Sequence, residues 1–395
     1  MTINFKTEAD ALRDEMIARR RDLHQHPEIA FEEVRTAGIV AEELNNLGME
    51  VQTGVGKTGV VGILEGDSDG PTVLIRADMD ALPVYEQNST DYISQTNGKM
   101  HACGHDGHTT MSLAVAKMLS AHRDKMRGRV KFVFQPAEEI AAGAAAMIKD
   151  GVLESPRPDV SLGLHLWNYL PLGKLGVATG PVMAGSNSFT ITIRGKGSHG
   201  AMPQDALDPI VCAAHVITGL QTITSRNMDP LEGAVVSATQ IHAGHANNVI
   251  PMEATIGGTT RSFKPEVRQL LETRLVEITE NIAKAMGCTA TVNFTEGTMP
   301  VSNDAEVAMQ VRDAFTDIVG EDAFVMDERA MVGEDMSFLM DDIPGMFFFV
   351  GSANDERELN YGHHHPRFDF DEDALPLGAA LMARAAASYV LIDEI

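Results

Sequence analysis

Residues 101–108, His-Ala-Cys-Gly-His-Asp-Gly-His, gather a thiol, three imidazoles and a carboxylate, with glycines where bulk would obstruct close approach. Sulfur and imidazole nitrogen are the ligands that zinc, cobalt, nickel and manganese sites recruit. A Cys-x-His pair alone is a common accident of sequence. Here it is joined by Glu138–Glu139, by His165 and by His363–His364–His365, each beside a turn-forming residue. Taken together these residues predict a metalloenzyme.

The chemistry such a set could support is amide hydrolysis. That reaction needs an activated water, a polarised carbonyl and a proton donor for the departing amine. Two divalent ions ~3.5–4 Å apart, bridged by water, supply the first two. One carboxylate must stay off the metals to act as general base. Glu138 and Glu139 suit that division, because successive side chains diverge at a strand end.

Strand ends are where the pattern places these residues. A buried strand at 72–75 runs into Arg76-Ala77-Asp78-Met79-Asp80, and one through Val130, Phe132 and Phe134 delivers Glu138 and Glu139. A third, at 161–164, ends at His165. Ligands of open α/β sheets bind at the carboxyl ends of strands. Between the first two, Asp106 or Thr109 is expected to cap a helix reaching Ser120, with Met111, Val115, Met118 and Leu119 on its buried side. Glu334–Asp335 resembles a helix cap, and Asp369, Asp371 and Glu372 look like loop and helix-start acids.

The texture changes near Gly185. Phe189, Ile191 and Ile193 alternate with polar residues as a strand with one solvated face. A helix at 208–224, strands at 235–242 and 254–262, a helix at 265–286 and a strand at 289–294 follow. In the second helix Val267, Leu271, Leu275, Ile278 and Ile282 recur at spacings of three and four. The α/β pattern resumes near 301 and closes with a helix at 373–391. The expected fold is a mixed α/β catalytic domain in two parts, 1–185 and 299–395, interrupted by a smaller α+β domain, 186–298. A chain of 395 residues is long enough for two cores.

Composition excludes some partners. A net charge of −25 argues against nucleic acid, which requires a basic surface. No run reaches the ~18 apolar residues of a membrane span, and the polar N-terminus is unlike a secretory signal. Three cysteines leave an odd thiol and no disulfide framework. The expected compartment is the cytoplasm; Cys212, in an apolar run, reads as core.

Seven motifs in order carry a family resemblance: RRDLHQHPEIAFEE from Arg20, RADMDALP from Arg76, MHACGHDGH from Met100, FQPAEE from Phe134, GKGSHGAMP from Gly195, NVIP from Asn248, and HHHPRFDFDEDALPLGAA from His363. Together they resemble the dinuclear-metal amidohydrolases, which include hippurate hydrolases, N-acyl-amino-acid amidohydrolases and plant auxin-conjugate hydrolases, within a zinc carboxypeptidase-like superfamily. The resemblance implies a ferredoxin-like lid as the inserted domain, often used for dimerisation, and hence a homodimer or homotetramer. It implies two divalent ions per subunit (Mn, Zn, Co or Ni) on Cys103, His105, Glu139, His165 and His364, with Cys103 bridging. His364 is chosen by its distance from Pro366; His363 and His365 are the alternatives.

In the same family pattern Glu138 is the general base and proton shuttle. His199 stabilises the oxyanion, frequently from the neighbouring subunit. Asn248 and Arg261 hold the substrate carboxylate, a role that suits a planar guanidinium fork. Many superfamily members carry His-x-Asp where this chain has Asp78-Met79-Asp80. The amidohydrolase subgroup shares that replacement, which makes Asp78 and Asp80 supports of the ligands rather than ligands. The implied activity is hydrolysis of an N-acyl amino acid to a carboxylic acid and an amino acid by a metal-bridged water that a glutamate activates. A dipeptidase or carboxypeptidase is the alternative within hydrolysis. A non-catalytic metal-dependent binder of acylated amino acids is the alternative outside it.

Overall fold

Met346, Phe347, Phe348, Phe349 and Val350 form an apolar run without alternation, the pattern of a strand covered on both faces. The structure, a computed structural model, describes residues 3–391 and places that run in the interior of an eight-stranded mixed sheet. In spatial order the sheet comprises Glu50–Val55, Gly59–Glu65, Arg127–Gln135, Ser68–Asp78, Val160–Pro171, Gly345–Ala353, Leu175–Gly176 and Phe324–Val325. The four strands from Arg127–Gln135 to Gly345–Ala353 are parallel; the pairings outward from them begin antiparallel.

Chain order fixes where this sheet opens. Ser68–Asp78 crosses through the helix His105–Ser120 to Arg127–Gln135 on one side. Val160–Pro171 sits on its other side and is followed in space by Gly345–Ala353. The connections thus diverge between Ser68–Asp78 and Val160–Pro171, the switch point at which such sheets form a crevice. The alanine-rich helix Ala374–Val390 is buried along most of its length and packs on His105–Ser120, Phe5–Ala11 and Ala305–Val319. Its small side chains permit that close approach. No helix among the described residues is long and apolar enough to cross a membrane.

Two compact units make up the chain: one of 1–182, 301–329 and 335–395, the other of Met183–Pro300 with Ala330–Glu334. The five-residue return at Ala330–Glu334 lies in the expected catalytic portion of the sequence but packs with the second unit.

The second unit runs strand Gly185–Arg194, helix Pro209–Thr222, strands Ala234–Ala243 and Glu253–Ser262, helix Pro265–Ala285 and strand Thr289–Glu296. Its antiparallel sheet has Gly185–Arg194 and Glu253–Ser262 in the middle, with Thr289–Glu296 and Ala234–Ala243 at the edges. This βαββαβ order is ferredoxin-like. Asp208 caps the first helix by accepting from Ile210 and Val211 N–H, ahead of a proline at the first helical position. On the second, Val267, Leu271, Leu275, Thr279 and Ala283 form the buried stripe, with Ile278 and Ile282 half-covered beside it. Cys212 is core, as its apolar surroundings predict.

Candidate metal centre

The motif at 101–108 places His105 in the first turn of the helix His105–Ser120, behind Gly104 in a left-handed conformation (φ 97°). Gly107 lets that helix lie against the neighbouring strand: a Cβ there would sit 2.5 Å from Leu166 Cδ1 and 2.9 Å from Phe370 Cζ. The expected cap at Asp106 or Thr109 is absent. Asp106 is fully buried inside the first turn, accepting from Arg20 Nε at 3.0 Å and pairing with His24 Nδ1 at 2.7 Å. Thr109 donates to the Asp78 carbonyl.

The glutamates stand on a rigid turn. Both Glu138 and Glu139 N–H donate to the Asp80 carboxylate, each at 3.0 Å. Ala137 and Ala141 flank the pair at φ 54° and 50°, a conformation that costs a non-glycine residue ~1–2 kcal/mol. The helix that follows them begins at Gly143. Asp80 also accepts from His105 Nδ1 through its carbonyl oxygen at 2.8 Å, leaving His105 Nε2 to face the glutamates.

His165 does not end its strand as expected. Val160–Pro171 continues past it because Gly345–Ala353 keeps pairing alongside, with Phe349 opposite His165. Its Nε2 lies 3.5 Å from Cys103 Sγ. Of the three consecutive histidines, His364 sits at φ 65°, is tied to Ala102 O through its own N–H, and brings Nε2 within 3.2 Å of Glu139 Oε2. His363 stacks on Trp167 and faces His165, its ring nitrogens also within reach of Cys103. His365 stacks on Tyr361.

Cys103, His105, Glu138, Glu139, His165 and His364 are therefore gathered in one cluster of overlapping potential ligand sets. Two buried atoms in it, His105 Nε2 and Glu139 Oε1, have no hydrogen-bond partner and face each other across 3.9 Å. Burial alone would lower the His105 pKa, but Asp78, Asp80 and Glu139 raise it to about 10. Burial, together with His108 and His363, holds His165 well below its ordinary value. Orphaned donors and carboxylates around a thiol and imidazoles fit a divalent cation, since ligands ~2.1 Å from a common ion lie at such separations.

Asp78 is completely buried, accepting from Arg76 Nη1 at 2.7 Å and paired with His108 Nδ1 at 2.6 Å. Burial would raise its pKa, and His105, His108 and Arg76 outweigh that to hold it well below the carboxylate range. Asp335 does stand at the start of the helix Met336–Leu339, but its buried carboxylate makes no cap bond there and accepts instead from Arg76, Gln135 and the Ala144 N–H. Glu334, the last residue of the Ala330–Glu334 return, is buried. The acids at 369–372 do lie in the loop that leads into the helix Ala374–Val390, and there they are buried. Asp369 holds Arg20 and Tyr92, Asp371 holds Asn354 and Arg357, and Glu372 holds Arg21. Sequence reasoning left Arg20, Arg76 and His108 without roles and read Asp106 as a cap, although all four stand inside the motifs it singled out.

The second unit brings His199 and Asn248 together. His199 pairs in register with Val249, and Gly200 N–H donates to Asn248 O at 2.7 Å. Arg261 lies elsewhere in that unit, opposite Ser186 at the start of the strand Gly185–Arg194, whereas His199 follows that strand's far end. Its guanidinium donates to Thr259 Oγ1 and Thr260 O.

The profile of peptidase family M20/M25/M40 matches residues 74–388. An IAA-amino acid hydrolase of Arabidopsis thaliana is 41% identical over 96% of this chain and 87% of its own length. An N-acetyl-L-cysteine deacetylase of Bacillus subtilis is 39% identical over 92% of this chain and 85% of its own. Among solved structures, a dinuclear metal-binding peptidase of the M20 family from Bacillus subtilis superposes with a TM-score of 0.85 at 36% identity, covering 98% of this chain and all of that one. A buried thiol–imidazole–carboxylate cluster at the sheet crevice, inside a family match spanning most of the sequence, leads to one conclusion: this chain belongs to peptidase family M20/M25/M40 and is a metal-dependent hydrolase of amide bonds.

Proposed function

We propose that the protein hydrolyses N-acyl amino acids, of the N-acetyl or aromatic-acyl kind, to a carboxylic acid and a free amino acid. The observation that carries this reading is the pair of adjacent glutamates on one Asp80-held turn, in which Glu139 faces His105 and His364 and Glu138 stands beside it within reach of the same imidazole, in the position for proton transfer. Two divalent ions (Mn, Zn, Co or Ni) would be held by Cys103, His105, Glu139, His165 and His364, with Cys103 shared. When bound they polarise the amide carbonyl and acidify water. Glu138 takes the proton of the attacking water and returns it to the departing amine. Asp80 keeps the two glutamates and His105 oriented, and Asp78 braces the same wall.

His199 supplies the oxyanion contact; Asn248 and Arg261 hold the substrate carboxylate. The roughly eight residues of strand separating His199 from Arg261 amount to about 25 Å. That span supports a homodimer or homotetramer built through the second unit, in which His199 and Asn248 serve a partner's site. Three cysteines without a disulfide support a cytoplasmic setting.

The test is a panel of N-acetyl and N-benzoyl amino acids with a plain dipeptide, offered to metal-stripped protein reloaded with each of the four metals. Turnover of the N-acyl compounds, restored by metal, is the expected result. Turnover of the dipeptide alone would place the enzyme among the dipeptidases, and stoichiometric metal binding with no turnover would overturn the N-acetyl and aromatic-acyl reading. Metal uptake carries a second expectation. With its pKa near 10, the His105 imidazole is protonated at neutral pH when no ion is bound. Binding at Nε2 must expel that proton, so apparent affinity rises with pH, by about tenfold per unit for each proton released. Calorimetry in buffers of different ionisation enthalpy measures the release; zero protons at pH 7 would mean that the His105 imidazole is already neutral before an ion binds.

A further inference from the structure

Two parallel strands separate at the crevice, and something must satisfy the backbone where they part. Val160–Pro171 stays paired with Gly345–Ala353 through His165 and Trp167, but its ladder with Ser68–Asp78 stops at Gly163, opposite Arg76. Leu166 is fully buried beyond that point. A buried N–H without a partner costs about 1–3 kcal/mol. The Leu166 N–H is not left so: it donates to His108 Nε2 at 2.9 Å.

A ring nitrogen that accepts from an amide carries no proton. The His108 proton therefore sits on Nδ1, which donates to Asp78 Oδ1 at 2.6 Å. Asp78 is held in turn by Arg76, and Arg76 by Gln135 at 3.0 Å and Asp335 at 3.1 Å. The imidazole replaces the missing ladder, linking the carboxyl end of Ser68–Asp78 to the backbone immediately after His165. It also stands one turn along the helix from His105. The His108 ring lies 4.6 Å from that of His165 and 5.4 Å from that of His105. Its nitrogens fall within ligand distance of both, yet both are already engaged.

We propose that His108 is a positioning residue, a strut that fixes the spacing between His105 on the helix and His165 on the strand, and is not itself a metal ligand. The inference rests on the ligand set proposed above. Its test uses the full chain with Co²⁺ alone as probe. Affinity is read by chelator competition, stoichiometry at saturation, and coordination by the cobalt absorption bands. His108→Phe keeps the ring volume and removes both hydrogen bonds; His108→Asn keeps a donor near Asp78 and leaves the Leu166 N–H without its acceptor. The exchange rate of the Leu166 amide is followed alongside.

Both variants are expected to bind the wild-type number of ions at saturation, with cobalt bands of unchanged intensity. Affinity should be weaker by roughly 10–100-fold, the usual cost of losing a group that orients ligands, and the Leu166 amide should exchange faster. Affinity within twofold of wild type in both variants overturns the proposal. So does the loss of one ion at saturation, which would make His108 a ligand. If His108→Phe fails to fold, His108→Asn and the amide exchange decide. If the wild type takes up no Co²⁺, the metal reading falls; unchanged Leu166 protection in the variants would then overturn the strut separately.

Discussion

Glu138→Gln is expected to lower kcat by roughly 10²–10⁴-fold, the range spanned by general acid–base groups, while metal content and substrate KM stay near wild type. Glutamine matches the size of glutamate, and the backbone N–H that ties position 138 to Asp80 is unaffected. What disappears is the capacity to take up a proton and give it back. Glu139, the neighbour aimed at His105 and His364, keeps its contacts. A drop in kcat and kcat/KM together, with KM unmoved, identifies a contribution made only in the transition state. Turnover close to wild type, measured with metal content confirmed, would remove Glu138 from the mechanism.

The second large effect is on stability. Arg20 is completely buried, donating to Asp106 at 3.0 Å and Asp369 at 2.7 Å, with Glu372 at 3.5 Å. Its guanidinium also covers the Phe370 ring at 4.3 Å. Burial and Arg20 would lower the pKa of His24 beside it, but hydrogen bonds to Asp106 and Glu86 raise it to about 9. Arg20→Met fills the space but leaves buried Asp369 without its cation and Asp106 with His24 alone, a loss worth about 3–5 kcal/mol. For a unit of this size that lowers the melting temperature by on the order of 10 °C. Trp167, the single tryptophan, lies in the same unit, so its fluorescence follows that unit's unfolding. A loss under about 1 kcal/mol would mean that the carboxylates protonate or hydrate without strain.

The two networks explain what could be read from the chain and what could not. Ligand types were legible because chemistry and spacing are local: Cys103 and His105 are two residues apart, and Glu138 and Glu139 are adjacent. The second unit's elements were legible because the 2.0 and 3.6 periods of its strands and helices are clean. Partners of buried charge are not local. Arg20 meets Asp106 across 86 residues and Asp369 across 349, so Asp369 and Glu372 read only as loop and helix-start acids and Asp106 as a cap. His165 was expected at a strand end because it interrupts the short apolar run 162–164. The neighbouring strand, 184 residues on at Phe349, is what carries the pairing past it. The role of Asp335 was hidden for the same reason, since Arg76 reaches it from 259 residues away.

The interruption of the first unit bears on how the protein is made. Its sheet receives Gly345–Ala353 not at an edge but beside Val160–Pro171, and the loop bearing His364 follows later still. The strands up to Val160–Pro171 emerge from the ribosome first and must wait, with one side of that strand unpaired, while the whole second unit is translated. That unit is continuous apart from five residues, so it can collapse on its own core during the pause. The binding cluster closes only when residue 364 arrives, so a nascent chain holds no finished centre to seize an ion before the surrounding sheet exists.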